Sequence, residues 1–297
     1  MLRSLAAAAS LTLALSGCAA EASAPRPGTL SVVTSTSVWG DIARVVGGRW
    51  VTVTSVVSNP DQDPHSYEGS ARVLLAVTKA DLLVENGGGY DYFMTQMIRA
   101  ADTTAPVIDA VEVSGVRPGS DGELNEHVWY DVQAAAKVAG VIATRLGVLD
   151  PDHRAYFASR ARGFATRVGR LVAAERRVKA SDAGAGVGIT EPLPLYMLRA
   201  MGLRNLTPPD FSRAVEGGGE VSARVLAETL DLYSQHRVVA LVYNNQTSSP
   251  ITEQVKAAAR SARVPVVGVQ ETLPLGVSYL GWMWHNVTAI AGAVSTR

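Results

Sequence analysis

From residue 29 onward, short apolar runs rich in β-branched residues alternate with stretches whose apolar positions recur every three or four residues. Runs of the first kind predict strands, because β-branched side chains suit a pleated surface. Spacing of the second kind predicts helices with one buried face. In the first half, strands are predicted over 30–34, 51–57, 81–84 and 107–108, and helices over 38–46, 71–78, 92–100 and 131–146. In the second half, strands are predicted over 187–190, 238–243 and 264–269, and helices over 193–201, 223–234, 253–262 and 279–293. Such alternation builds βα units around a mostly parallel sheet, so the expected class is α/β.

A longer pattern separates the halves. Asp150 and Pro151 supply an N-cap and a first-turn proline, and Phe157, Ala161, Phe164, Val168 and Leu171 follow at spacings of four, three, four and three. The six arginines at 160, 162, 167, 170, 176 and 177 fall mostly off this stripe and read as a solvated face. One helix of about 29 residues would be ~43 Å long, enough to run the length of a small domain. Gly163 and Gly169 lower the propensity for a straight helix. The expected organisation is two lobes, over 29–149 and 181–297, each with a mostly parallel sheet flanked by helices. A connecting helix over 150–180 joins them, and a ligand site lies in the cleft between them.

The first 17 residues carry one charge at Arg3, an apolar stretch over 5–15 and then small residues, the layout of a secretory signal. No continuous apolar run reaches the ~18 residues of a membrane span. Leu15-Ser16-Gly17-Cys18 resembles the lipobox of bacterial lipoproteins. That resemblance implies lipidation of Cys18, a membrane anchor of more than one acyl chain, and a tether over 18–28. Cys18 is the only cysteine, which leaves none for a disulfide or a thiolate metal site. With 27 basic and 27 acidic residues the net charge is zero, so no electrostatic case exists for a nucleic-acid partner.

Four metal-capable side chains lie at predicted strand ends or in loops entering helices, where open α/β sheets present their crevices: His65, His127, Glu191 and Glu271. Imidazole and carboxylate suit a divalent transition metal, and two carboxylates balance its charge. Taken singly they are weak signals, since loop histidines are commonly just hydrogen-bonded and glutamates favour helix N-termini. Their motifs are more specific. Asp63-Pro64-His65-Ser66-Tyr67-Glu68 and Glu126-His127-Val128-Trp129 resemble the first and second ligand motifs of the metal-binding solute-binding lipoproteins of bacterial zinc and manganese ABC importers. The resemblance extends from Leu30 to the C-terminus.

It implies His65 and His127 as ligands from one lobe, Glu191 at a third position where the family has His or Glu, and Glu271 where it has an acidic residue. It also implies capture of one Zn²⁺ or Mn²⁺ ion outside the cytoplasm, delivery to an ABC permease, and a monomer anchored at the outer face of the membrane or in the periplasm. Gly69 and Val132 depart from the family at positions where proline is common, and no His-rich loop precedes His127. Two imidazoles with two carboxylates make a harder set than three imidazoles with one, yet intrinsic affinity still ranks zinc above manganese, so both remain open.

Two other functions compete. A secreted zinc hydrolase would need an open coordination position and commonly H-E-x-x-H, which does not occur; nor do a G-x-S-x-G elbow or a phosphate loop. Gly87-Gly88-Gly89 and Gly217-Gly218-Gly219 satisfy none of these patterns, and no enzyme is expected. A surface adhesin or metal buffer would use the same four residues without a transporter. Among the remaining residues, His153 and His236 are expected in solvent, and His285 packed or hydrogen-bonded in the last helix. Tyr67, Trp129 and Tyr279 line the cleft or fill the core. The segment Asn244-Asn245-Gln246 either bonds a ligand carboxylate or forms a turn, and Asp131 either caps its helix or orients His127.

Overall fold

The computed structural model describes residues 28–60, 62, 64–119 and 122–295; the expected signal segment and the expected lipidation at Cys18 lie outside them. The chain begins with β1 (Leu30–Thr36), α1 (Ser37–Gly47), β2 (Val51–Val57), α2 (Ala71–Thr78), β3 (Leu82–Glu85), α3 (Tyr92–Ala101), β4 (Val107–Asp109), α4 (Ala110–Ser114) and α5 (Val132–Leu149). After a single 3-10 turn, α6 runs unbroken from Arg154 to Asp182. The second half comprises β5 (Gly186–Ile189), α7 (Leu195–Ala200), β6 (Arg204–Asn205), α8 (Pro209–Glu216), α9 (Ala223–Ser234), β7 (Ala240–Asn244), α10 (Pro250–Ser261), β8 (Val266–Val269) and α11 (Tyr279–Val294).

Both sheets are four-stranded and parallel, with orders β2-β1-β3-β4 and β6-β5-β7-β8. The two halves therefore repeat one topology, in which the second strand flanks the first and the third and fourth lie on its other side. In each sheet the crossover direction reverses beside the first strand. Such a reversal opens a crevice at the carboxyl ends of the strands.

One hydrophobic core runs through both halves. It takes Val32 and Leu82 from the first sheet, Phe157, Phe164 and Leu171 from α6, and Val187, Ile189 and Val242 from the second. The α6 stripe read from the sequence is thus the seam that joins the lobes. Gly163 and Gly169 lie inside the continuous helix, and a Cβ at either would meet nothing within 4 Å, which places both on its open side. By length and composition α5 could cross a membrane, but half of it is buried inside the fold, where it packs on α6, α1 and α4.

The main departures from expectation fall at prolines or in short elements. The helix expected at 193 starts at Leu195, after Pro192 and Pro194. The one expected at 253 starts at Pro250, because Ser249 and Thr252 form a reciprocal capping box. The segments α4, β6 and α8 were not foreseen.

Candidate metal centre

His127 occupies the loop between α4 and α5, just before the 3-10 turn Val128–Tyr130, and is fully buried. Its Nδ1 lies 2.8 Å from Asn125 Oδ1. A carboxamide oxygen only accepts, so Nδ1 carries the proton and Nε2 the lone pair. Nε2 is buried with no hydrogen-bond partner among the described residues. Burial strips hydration from the imidazolium and lowers the His127 pKa to about 3, with His65 adding a smaller push in the same direction. At neutral pH the ring is uncharged and Nε2 keeps a bare lone pair, the form a metal ion binds.

The structure brings two more of the expected residues to that nitrogen. His65, in the loop after β2, stands edge-on to Tyr90 at 4.8 Å between ring centroids and keeps about a third of its side chain exposed, at 32%. Its Nε2 is 3.8 Å from Oε2 of Glu271, which is buried just beyond β8. Ligand atoms of His65, His127 and Glu271 all lie within 4.8 Å of one another. Two donors on one tetrahedral ion, with arms of about 2.0–2.1 Å, sit roughly 3.4 Å apart, so a small contraction would close this trio on a metal.

Glu191, buried just after β5, stands beside the trio rather than within it. The carboxamide Nδ2 of Asn244 donates to Glu191 Oε2 at 2.6 Å and to Glu271 Oε1 at 2.9 Å, which uses both of its protons to hold the two carboxylates side by side. Thr247 Oγ1 also donates to Glu191 Oε1. Of the two readings of Asn244-Asn245-Gln246, carboxylate support is the one realised. Gln246 reaches further: its Nε2 donates to Pro60 O at 2.5 Å, and Thr272 Oγ1 donates to the same carbonyl at 3.0 Å. The loop leading to His65 is therefore tied directly to the segment carrying Glu271.

Two residues beside His127, Asn125 and Glu216, were not foreseen in any role. Asn125 orients His127, whereas Asp131 caps α5 by accepting from the amides of Gln133 and Ala134 at 2.9 and 3.2 Å. Glu216 ends α8 and places Oε1 3.7 Å from His127 Nε2, forming a second trio with Glu126 within 4.8 Å. Because His127 is neutral, this approach is not an ion pair. Burial, reinforced by the carboxylates of Glu126, Glu191 and Glu271, pushes the Glu216 pKa up to about 8. Glu126 is also raised by burial.

The other residues fall outside the site. His153 is not simply solvated: it stacks on Trp50 at 3.5 Å and pairs with Asp150 at 2.7 Å. His236 is exposed as expected. His285 is exposed, contrary to expectation, because α11 turns Trp282, Met283, Asn286, Val287 and Ile290 inward and leaves position 285 outside. Trp129 packs 5.1 Å from His127, Tyr67 packs on Phe93, and Tyr279 is core, with its hydroxyl donating to Trp129 O at 2.7 Å.

The chain matches the family model of the periplasmic zinc-uptake complex component A (ZnuA) over residues 32–293. It is 30% identical to the manganese-binding lipoprotein MntA of Halalkalibacterium halodurans over 140 residues, covering 46% of this chain and 45% of that one. It is 24% identical to the metal ABC transporter substrate-binding lipoprotein FimA of Streptococcus parasanguinis over 306 residues, covering 96% of each. The periplasmic zinc-binding protein TroA of Treponema pallidum has the same fold, with a TM-score of 0.74 at 22% identity over 90% of this chain and 99% of that one. Since the family match runs through both sheets and the helix between them, the chain belongs to the family of periplasmic zinc-uptake component A proteins.

Proposed function

We propose that the protein captures one divalent transition-metal ion outside the cytoplasm and delivers it to an ABC permease for import, with Zn²⁺ or Mn²⁺ as cargo. The observation that carries this reading is the buried, unpartnered Nε2 of His127 facing His65 and Glu271. Ligation is assigned to His65 and His127 from loops of the first sheet and to Glu191 and Glu271 from strand ends of the second. An ion bound there would draw on both lobes. Family membership supports import over a transporter-free buffer or adhesin, and the names of relatives span zinc and manganese. The role requires no catalysis. Cys18 is assigned as the lipid anchor of a monomer, with a signal segment over 1–17, a tether over 18–28 and lobes over 29–149 and 181–297.

Release is expected to be local. A core continuous through α6, together with the bonds that Gln246 and Thr272 make to Pro60, resists wide lobe separation. The part-exposed His65 loop, beyond its anchor at Pro60, is the element expected to lift. Calorimetric titration of metal-free protein with Zn²⁺ and Mn²⁺, beside His65→Ala and Glu191→Ala, tests the reading: one-to-one binding should weaken in both variants. Zinc or manganese uptake should also fall in a strain lacking the gene. Binding indifferent to both substitutions would reject the site.

A further inference from the structure

The sequence and the family resemblance supply four ligands, but His127 Nε2 has a second carboxylate before it. Glu216 Oε1 is buried, without a hydrogen-bond partner among the described residues, and 3.7 Å from His127 Nε2, which is itself fully buried and unpartnered. As placed, the two atoms do not satisfy each other. At 3.7 Å they are too far apart for a hydrogen bond, and the proton of His127 sits on Nδ1, facing Asn125. Their separation nearly equals the 3.8 Å between His65 Nε2 and Glu271 Oε2, the pair assigned to one ion. A cation between them would satisfy both atoms. The backbone permits the necessary shift: Glu216 is the last residue of α8 and is followed by Gly217-Gly218-Gly219, with Gly218 at φ +63°, where a Cβ would meet nothing within 4 Å.

We propose that Glu216 is a fifth protein ligand to the captured ion, swinging in from the end of α8 to give a set of two imidazoles and three carboxylates that favours five- or six-coordinate Mn²⁺ over tetrahedral Zn²⁺. This rests on the metal-capture reading. Three carboxylates add hard oxygen donors and raise the coordination number, both of which suit Mn²⁺; Zn²⁺ is content with four ligands and gains less from a fifth. Glu216 therefore acts on the ratio of the two affinities more than on zinc binding itself.

The test titrates the purified protein, Glu216→Gln, Glu216→Asp and the exposed control Glu220→Gln with Mn²⁺ and with Zn²⁺, and counts ligands by X-ray absorption at each metal edge. Glu216→Gln should weaken Mn²⁺ binding about tenfold or more and Zn²⁺ binding about threefold or less, with one light-atom ligand lost from the Mn²⁺ spectrum. Glu216→Asp, one methylene shorter, should fall between wild type and Glu216→Gln for Mn²⁺, and Glu220→Gln should match wild type. Wild-type Mn²⁺ affinity and coordination number in both Glu216 variants would overturn the proposal. So would an equal loss for both metals with the coordination number unchanged, since that is the behaviour of a remote charge. His127→Ala separates the two levels of the argument. If it abolishes binding while the Glu216 variants behave as wild type, only the fifth ligand is wrong; if it binds normally, the capture site itself is wrong.

Discussion

Replacing Asn125 by alanine removes the acceptor that fixes the His127 tautomer on which the proposed ligation depends. Its Oδ1 accepts from His127 Nδ1 at 2.8 Å and from the His127 amide at 3.1 Å, while its Nδ2 donates to Pro192 O at 3.0 Å in the opposite half. Without the acceptor, the ring is free to place its proton on Nε2 and to rotate, and a metal must pay to reverse both. Losing the partner that orients a ligating histidine typically costs 10–100-fold in metal affinity, or about 1.4–2.7 kcal/mol. Asn125 is only half-buried, so water can replace part of the bond, and the expected loss is toward the lower end, about tenfold. Calorimetry with Zn²⁺ reads the affinity, and ¹⁵N chemical shifts of the histidine ring read the tautomer. Asn125→Asp keeps the acceptor, gives up the bond to Pro192 and adds a negative charge beside Nδ1, so it should retain affinity within about threefold and keep the proton on Nδ1. If Asn125→Ala binds within twofold of wild type with the tautomer unchanged, the claim that Asn125 sets His127 is wrong.

Three further outcomes are expected. Phe164→Ala, at the fully buried midpoint of the α6 stripe, should cost about 3–5 kcal/mol in urea unfolding and destabilise both halves together; a loss below 1 kcal/mol, or two separated transitions, would contradict a shared core. Burial, with a smaller contribution from Asp131, raises the Glu175 pKa from 4.5 to about 7, so the folded chain holds a proton there that the unfolded chain gives up. That contribution is fully present below pH ~4.5 and fades as pH rises through ~7, so Glu175→Gln should gain about 1–3 kcal/mol relative to wild type at pH 8 compared with pH 4.5, measured by denaturation at both. An equal effect at the two pH values would refute it. Gln246→Ala removes one of the two bonds that hold Pro60 O and should speed metal release several-fold in stopped-flow chelation; unchanged release would show that the His65 loop is not held there.

Much of this was legible in the sequence because the informative segments are long or chemically loaded. The α6 stripe spans many turns, and its 3.6-residue period admits no strand reading. His65, His127, Glu191 and Glu271 all sit where a parallel sheet opens its crevice, so a correct strand pattern already placed them near one another. The two further residues that the fold brings to His127 lacked such signals. Glu216 belongs to α8, only eight residues long and begun by Pro208-Pro209, which reads as a loop; a glutamate before three glycines reads as a solvated helix end. Asn125 was overlooked in favour of Asp131, since a residue directly before a helix has two uses, capping and orientation, and local sequence cannot tell which side chain turns back toward the histidine. The exposure of His285 was readable. Spacing of one, three, one and three among Trp282, Met283, Asn286, Val287 and Ile290 already defines a face that excludes it. The two-residue strand β6 is too short for any period to register.

The account's central claim is tested most directly by anomalous diffraction from crystals grown with stoichiometric Zn²⁺. One peak is predicted between the halves, about 2.0–2.1 Å from both His65 Nε2 and His127 Nε2 and within bonding distance of Glu271. A peak elsewhere on the molecule, or one that leaves His127 Nε2 without a metal, would contradict it.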